Sequence, residues 1–237
     1  MKTIQVGHSP DADDAFMFYA LAHSKIETGE FQFEHILRDI ETLNRWALDK
    51  KLEVTALSVH TYAYVSKDYS LLPHGASIGE KYGPIVVAME KITAESLKDK
   101  KIGVPGELTT AFLALSLCLG HFQYEVIPFD KIFDAVKEGK VDAGLIIHEG
   151  QLTYSELGFE KVLDLGQWWF DKTGLPLPLG VNAIRRDLGK ETCELISNYL
   201  RKSIDYGLQH RKEAMEYAMK YSRDTEESLT DRFLECT

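Results

Sequence analysis

Short apolar segments alternate with helical segments along most of this chain, and this alternation limits the folds that it can adopt. Residues 3–6 and 31–37 predict strands, and apolar residues at helical spacing follow each of them. Such alternation is typical of α/β proteins, in which helices cover a largely parallel sheet. The pattern restarts near residue 90 and returns near residue 177. The chain is therefore predicted to form an α/β protein with two lobes.

Two predicted strands, residues 84–89 and 180–184, are the natural crossovers between these lobes. We expect residues 1–89 and 178–237 in lobe 1, which carries both termini, and residues 90–177 in lobe 2. Ligands of open α/β sheets bind beyond the carboxyl ends of the strands. The sequence therefore predicts a ligand cleft between the lobes. Its expected lining consists of polar residues at strand ends, namely Ser9, Ser58, Thr109, Thr110 and His148.

One of these strand ends carries a histidine. Residues 142–147 predict a buried strand that ends on His148 and is broken at Gly150. Imidazole is the side chain best suited to move a proton near neutral pH. A histidine in this position can also be inert and simply hydrogen-bonded at the end of a strand. Together with the other strand ends, however, the pattern makes His148 the candidate catalytic residue.

Two polar turns before predicted helices supply candidate binding residues. Three aspartates follow Ser9, and we expect one of them to cap the next helix, with Asp14 as a possible pocket residue. Thr109 and Thr110 follow a Pro-Gly turn at the start of another helix. Hydroxyls and backbone N–H groups at such a position can bind an anion or a hydroxyl group. Simple helix capping by these threonines is compatible with that role.

Three apparent motifs do not hold. Residues 75–79 match the GxSxG nucleophile elbow, but a glycine-bearing loop and a further strand follow Ser77 where the elbow needs a helix. The second histidine of an HExxH zinc motif would fall on Leu152. The turn at Pro105 is not followed by the Gly-Lys-Ser/Thr of a phosphate-binding loop.

Composition restricts the partners and the location. The formal net charge of −10 argues against nucleic acid and anionic membranes, so any anionic ligand must be bound by local donors. Three cysteines without a CxxC pair suit a reducing compartment. The longest apolar run, residues 111–119, is too short to span a bilayer, and the N-terminus lacks a signal-peptide apolar region. We expect a cytoplasmic protein without membrane insertion.

Several short motifs carry a more specific resemblance, which extends over nearly the whole chain. In chain order they are Gly7-x-Ser9-Pro10 with Asp14, Asp39-x-Glu41-Thr42-Leu43-Asn44, Leu57-Ser58, Gly75-Ala76-Ser77-x-Gly79, Val104-Pro105-Gly106 with Thr109-Thr110, Ile146-Ile147-His148-Glu149 and Leu175-Pro176-Leu177-Pro178-Leu179-Gly180. Together they resemble the 1,4-dihydroxy-6-naphthoate synthases of the futalosine route to menaquinone. The resemblance implies a two-lobed, periplasmic-binding-protein-like type II fold, in agreement with the lobes predicted above.

The resemblance also implies a carbon–carbon lyase that converts cyclic dehypoxanthine futalosine to 1,4-dihydroxy-6-naphthoate. It identifies His148 as the base that removes a carbon-bound proton beside a carbonyl group. Thr109 and Thr110 would stabilise charge on oxygen, while Ser58 and Asn44 would contact the substrate from the other lobe. The substrate is a small carboxylate, and no metal or organic cofactor is implied.

Two features depart from the family pattern. Many relatives have an apolar residue followed by Ser-Pro-Cys-Pro-Asn-Asp, whereas this chain has His8 followed by Ser-Pro-Asp-Ala-Asp-Asp. Asp11 and Asp13 therefore add charge at the expected cleft edge, which can alter substrate preference. Relatives also usually continue past the position of Thr237, so we expect a truncated version in which one surface of lobe 1 is bare.

Two other functions compete with the lyase. One is chorismate dehydratase, a related enzyme of the same pathway on a similar fold, over which the His148-Glu149 segment favours the naphthoate synthase. The other is a binding protein for a small carboxylate or aromatic acid, which the fold alone allows. The missing export signal and the histidine weigh against that function. Glu149 would raise the basicity of His148 on contact, although adjacent strand residues face opposite sides.

Overall fold

The computed structural model describes residues 1–221, which divide into two compact units. The first unit comprises residues 1–77 and 180–221, and the second comprises residues 78–179. Each unit has its own β-sheet and its own hydrophobic core, which confirms the predicted α/β class. The lobe limits at 89/90 and 177/178 stay a prediction. The helix that the sequence predicts from Asp224 lies outside the described residues.

The strands are β1 (Lys2–His8), β2 (Phe31–Leu37), β3 (Val54–Ser58), β4 (Tyr69–Leu71), β5 (Ser77–Gly79), β6 (Ile85–Ala88), β7 (Lys101–Val104), β8 (Gln123–Val126), β9 (Ala143–Ile146), β10 (Glu160–Asp164) and β11 (Leu177–Arg185). The helices are α1 (Ala12–Ala22), α2 (Ile40–Leu48), α3 (Val59–Val65), α4 (Thr110–Leu119), α5 (Ile132–Lys137), α6 (Gly150–Thr153), α7 (Leu165–Thr173), α8 (Lys190–Gln209) and α9 (Arg211–Ala218). Short 3-10 helices occupy Ala94–Asp99, Phe129–Lys131 and Arg186–Leu188. None of the helices within residues 1–221 is both long and apolar enough to cross a membrane.

The first unit is built on a sheet with the strand order β2-β1-β3-β11-β4, in which β5 also pairs with β11. Strand β1 runs parallel to β2 and to β3, whereas β11 runs antiparallel to β3 and β4. Because parallel strands end at the same edge of a sheet, the end of β1 at His8 and the end of β3 at Ser58 lie along one edge. The residues that follow these two strands are therefore neighbours at that edge.

Helices α1 and α8 cover this sheet through faces that the sequence pattern anticipates. Ile196 and Leu200 are buried at helical spacing in α8 and pack in one core cluster with Phe18 of α1. One turn further along α8, the Ser203 hydroxyl donates to the Met17 carbonyl at 2.8 Å. These contacts hold the middle of α1 against α8 and the core of the sheet.

The second unit has a sheet with the order β10-β6-β9-β7-β8. Strand β7 runs parallel to β8 and β9, while β6 runs antiparallel to β9 and β10. The neighbouring strands β7 and β9 therefore end at one edge, at Val104 and Ile146. The turns beyond this edge carry Thr109 and His148, which come from different parts of the chain.

The segment that leads to His148 differs from its prediction. Strand β9 is fully buried but ends at Ile146, so His148 lies in a bend two residues beyond the strand. Gly150 lies four residues beyond the end of β9 and begins the short helix α6. Within β9, Gly144 allows close packing of α5, because a Cβ atom there would lie 2.4 Å from Ile132 Cγ2. Helix α5 is thereby held against the strand that leads to the candidate catalytic residue.

The GxSxG pattern at residues 75–79 is not a nucleophile elbow. Ser77 begins strand β5, so no helix follows it. The strand that precedes it, β4, covers Tyr69–Leu71. This part of the chain connects strands and carries none of the candidate site residues.

Candidate functional site

The imidazole of His148 is enclosed by aromatic rings of the second unit. The residue is only 7% exposed. Phe129 and Phe133 contact the imidazole edge-on, with ring centroids 5.7 Å and 5.8 Å from it. These two phenylalanines lie four residues apart across a 3-10 helix and the start of α5, so both can face the same side. The ring is therefore held in apolar surroundings beyond the carboxyl end of β9.

Backbone geometry also fixes the orientation of the His148 ring. The Gly150 N–H donates to His148 Nδ1 at 3.0 Å. The side chain of Glu149 is buried as well, and its Oε2 atom lies 3.9 Å from the same Nδ1. That separation exceeds hydrogen-bond distance, so the carboxylate interacts with Nδ1 through space while the backbone makes the hydrogen bond.

Thr109 and Thr110 occupy the neighbouring strand end in the second unit. The Thr109 side chain caps α4 by accepting from the Phe112 N–H at 3.1 Å, and its hydroxyl donates to the Gly106 carbonyl at 2.8 Å. The Thr110 hydroxyl donates to the Leu179 carbonyl at 2.7 Å. Capping, one of the two compatible interpretations of these residues, is thus seen directly. Their contact with a substrate stays a prediction.

Asn44 and Ser58 form a reciprocal buried pair in the first unit. Asn44 Nδ2 donates to Ser58 Oγ at 3.0 Å, and the Ser58 N–H donates to Asn44 Oδ1 at 2.8 Å. Both residues are almost completely buried. A buried amide that satisfies both a backbone and a side-chain group stabilises the local geometry strongly. Ser58 is therefore held in one position at the end of β3.

Ser9 and Asp14 form a second polar group at the same edge of that sheet. The Ser9 N–H donates to Asp14 Oδ2 at 2.6 Å, and the Ser9 hydroxyl donates to Asp11 Oδ2 at 2.5 Å. Burial, followed by the charge of Asp13, raises the pKa of Asp14 well above its ordinary value. Asp11 is the N-cap residue of α1, as expected for one of the three aspartates. Asp14 is thus a buried carboxyl group that favours its neutral form.

His8, the residue that departs from the family pattern, is buried and pairs with the half-buried His35. Its Nδ1 lies 3.1 Å from the Ser9 carbonyl, and its Nε2 lies 3.1 Å from Nδ1 of His35. Since a carbonyl only accepts, His8 carries its hydrogen on Nδ1, and Nε2 accepts from His35. The His8 ring also stacks on Phe18 with ring centroids 4.6 Å apart. Both bonds fit neutral rings.

Burial is the main reason that both histidines favour the neutral state. Burial, followed by the nearby His35 and opposed by the hydrogen bond to Ser9, lowers the pKa of His8 from 6.5 to about 3. Burial, followed by the charge of His23, lowers the pKa of His35 to about 4. In the unfolded chain these groups titrate near their ordinary value. The pair therefore links the stability of the first unit to pH.

We expect acid to destabilise the parent protein more than a His8→Leu variant. Between pH 6.5 and the lowered pKa, the unfolded chain binds a proton that folded His8 does not, so the stability present above pH 6.5 is lost as pH falls. As pH falls through that range, the free energy of unfolding of His8→Leu should rise relative to that of the parent by about 1 kcal/mol per pH unit. At neutral pH the free energy of unfolding of His8→Leu should be about 1 kcal/mol lower than that of the parent, because the Nδ1–H of His35 loses its acceptor.

Urea unfolding at a series of pH values from 7 to 4 measures this difference. Asp14 has the opposite linkage, but it titrates in both proteins and cancels in the comparison. Parallel stability curves for the parent and His8→Leu would show that the buried ring is not the titrating group.

The predicted site residues thus fall into two groups, one at a sheet edge of each unit. The first unit contains Ser9, Asp14, Asn44 and Ser58, and the second contains Thr109, Thr110 and His148. A groove of about 680 Å³ in the first unit lies between β4 and α8 and includes Arg186 and Cys193. None of the predicted site residues lines that groove, so it is separate from the candidate site.

Several residues that shape these groups are not among those that the sequence pattern indicates. Phe129 and Phe133 flank His148, and their spacing of one helical turn before a buried strand was the available signal. The sequence predicts Gly150 only as the residue that ends the strand, although its N–H donates to the imidazole. His35 carried no signal, because its pairing with His8 depends on the register between β1 and β2.

Comparison with known proteins agrees with the resemblance found in the motifs. Residues 4–237 match the family model described as menaquinone biosynthesis. The chain is 41% identical to the 1,4-dihydroxy-6-naphtoate synthase of Thermus thermophilus, with 97% of this chain and 83% of that protein covered. It is 33% identical to the Streptomyces coelicolor protein of the same name, with 98% and 83% covered.

Solved structures support the same fold. A protein from Archaeoglobus fulgidus is 50% identical, with a TM-score of 0.94 and with 99% of this chain and 87% of that chain covered. The alkanesulfonate-binding protein from Xanthomonas axonopodis pv. citri, bound to MOPS, is 12% identical, with a TM-score of 0.76 and coverage of 100% and 84%. The latter likeness concerns the fold alone, and it confirms the predicted periplasmic-binding-protein-like fold. From the family match over nearly its whole length and the identity to two relatives of which it covers 83%, this chain belongs to the menaquinone biosynthesis family.

Proposed function

We propose that this chain is a carbon–carbon lyase that converts cyclic dehypoxanthine futalosine to 1,4-dihydroxy-6-naphthoate. The two relatives named 1,4-dihydroxy-6-naphtoate synthase support the reaction. The observation that carries the proposal is the enclosed imidazole of His148, which Phe129 and Phe133 hold beyond the end of β9. A binding protein without chemistry needs no such group. In this proposal the substrate of the lyase is a small carboxylate, and the enzyme acts in the cytoplasm.

In the proposed reaction His148 handles the proton. It removes a carbon-bound proton beside a carbonyl group, and the electrons of the broken C–H bond form an enolate. Cleavage of a carbon–carbon bond and aromatisation then release the naphthoate. Phe129 and Phe133 exclude water from their side of the imidazole, which strengthens electrostatic interactions with the developing charge.

Polar groups at both sheet edges would hold the substrate. Thr109 and Thr110 begin the ten-residue helix α4, whose N-terminal dipole favours negative charge on an enolate oxygen. Ser9 and Ser58 offer hydroxyl groups in fixed positions. Asp14, whose pKa is raised by burial, can donate a hydrogen bond from a neutral carboxyl group. Asn44 would act together with Ser58.

A direct assay tests the proposed function. The purified protein is incubated with cyclic dehypoxanthine futalosine, and 1,4-dihydroxy-6-naphthoate is followed by absorbance and identified by mass spectrometry. We expect catalytic turnover of this substrate and no reaction of chorismate. Dehydration of chorismate would replace the proposal with the related dehydratase. Tight binding of a naphthoate or benzoate by calorimetry, without turnover of either substrate, would replace it with a binding protein.

A further inference from the structure

The hydrogen bond from Gly150 determines which nitrogen of His148 carries the hydrogen. A backbone N–H can only donate, so Nδ1 must accept with its lone pair. A neutral imidazole has one nitrogen-bound hydrogen, which must then be on Nε2. The bond therefore selects one tautomer of the neutral ring. On the side away from Gly150, that tautomer presents an N–H donor.

This arrangement is the reverse of the one that prepares Nε2 to act as a base. In a catalytic triad a carboxylate accepts a hydrogen bond from Nδ1–H, which leaves the Nε2 lone pair available. Glu149 is a buried carboxylate next to His148, but its Oε2 lies 3.9 Å from Nδ1. The backbone N–H of Gly150 occupies Nδ1 at 3.0 Å. The residues therefore favour the Nε2–H tautomer over the triad-like one.

Gly150 makes this contact possible by leaving space. A Cβ atom at residue 150 would lie 2.6 Å from His148 Cε1 and 2.6 Å from Phe133 Cε2, far inside ordinary contact distance. The backbone of Gly150 is helical, so an alanine can adopt its conformation without strain. The position thus requires glycine because of the two rings, and a side chain there would displace the imidazole.

We infer that Gly150 is a positioning residue that holds neutral His148 as the Nε2–H tautomer, so that His148 first meets its substrate as a hydrogen-bond donor to an oxygen atom. The inference rests on the proposed function and deepens it. A carbonyl oxygen that accepts from Nε2–H is polarised, and the adjacent C–H becomes more acidic. No covalent bond changes in this first contact. In the base step that follows, the Gly150 bond opens and the ring turns, so that Nδ1 accepts the carbon-bound proton while the electrons of the broken C–H bond form the enolate.

The tautomer can be measured directly in the parent protein by ¹⁵N NMR. Protein labelled with ¹⁵N-histidine is examined at mildly alkaline pH through couplings between ring nitrogens and ring carbon-bound hydrogens. We expect His148 to show a pyridine-type Nδ1 and a pyrrole-type Nε2. Comparison with His148→Gln identifies its signals among those of the other histidines. A pyrrole-type Nδ1 overturns the inference, whether or not the protein is active.

A Gly150→Ala variant tests the catalytic consequence. Its Cβ must push the imidazole by roughly 1 Å, and a displacement of that size can lower kcat by about 10²-fold. KM should change little, because the added methyl group faces His148 and Phe133. Gly180→Ala is the matched control, since the nearest atom to its Cβ would be Ser77 Cβ at an ordinary 3.7 Å.

These measurements separate the inference from the proposed function. Turnover by the parent, a pyridine-type Nδ1 and a loss in kcat specific to Gly150→Ala would support both. Turnover with unchanged kcat in Gly150→Ala would overturn the positioning role while the lyase activity stands. No turnover with the expected tautomer would remove the proposed function and leave only the structural assignment of the ring.

Discussion

Replacement of His148 by alanine is expected to lower kcat for naphthoate formation by about 10³-fold, the middle of the range for a general acid–base residue. The imidazole is the group at the edge of the second sheet that can move a proton near neutral pH. The methyl side chain of alanine cannot accept or donate a proton. Steady-state and single-turnover assays with cyclic dehypoxanthine futalosine measure the loss. KM should change less than kcat, because the proton is transferred only in the transition state.

The control for this substitution is another histidine of the same unit. His121 is exposed in the turn between α4 and β8, so His121→Ala should retain parental activity. Circular dichroism and urea unfolding of His148→Ala establish that the variant is folded, since the cavity between Phe129 and Phe133 costs some stability. Parental kcat in a folded His148→Ala protein would show that another group performs the proton transfer.

Replacement of Asn44 by alanine should produce the largest loss of stability among the site residues. The change removes two buried hydrogen bonds and leaves the N–H and the hydroxyl group of Ser58 without the amide that satisfies them. Each buried group that loses its partner costs about 1–3 kcal/mol, so we expect the free energy of unfolding to fall by about 3 kcal/mol. Ser58 would also lose its fixed position, and kcat/KM should decrease.

Urea unfolding followed by tryptophan fluorescence and circular dichroism measures this effect. Asn198 is an exposed asparagine of α8, and Asn198→Ala serves as the matched control with an expected change near zero. An Asn44→Ala protein as stable as that control would mean that water or another side chain replaces the amide. In that case the pair would not be the element that fixes the end of β3.

Local patterns in the sequence predict much of the secondary structure. The strand at residues 31–37 occurs at its predicted place, and the Asp39 side chain caps α2 by accepting from the Thr42 N–H. The long helix α8 buries the apolar face that its spacing indicates. These features depend on residues close in sequence, through hydrophobic periodicity and capping chemistry, and such information is present in the chain itself.

Strand ends are predicted less well than strands. The apolar run through residues 142–147 does not show that pairing stops at Ile146, because β9 ends where its neighbours β6 and β7 no longer offer hydrogen-bond partners. The placement of His148 in a bend, where Gly150 reaches its Nδ1, follows from that ending. The apolar run in the sequence indicates which residues are buried, but it does not show where the neighbouring strands begin and end.

The sequence by itself determined the α/β class, the candidate histidine and, through its motifs, the family. Only the tertiary structure decided which groups surround that histidine and how the polar residues are satisfied. Phe129 and Phe133 approach His148 because α5 packs on β9, and His35 meets His8 because β1 and β2 pair in register. Such contacts depend on the distance and orientation of segments that are remote in sequence. Tautomer, burial and pKa follow from those contacts, because they are properties of an environment and not of a residue type.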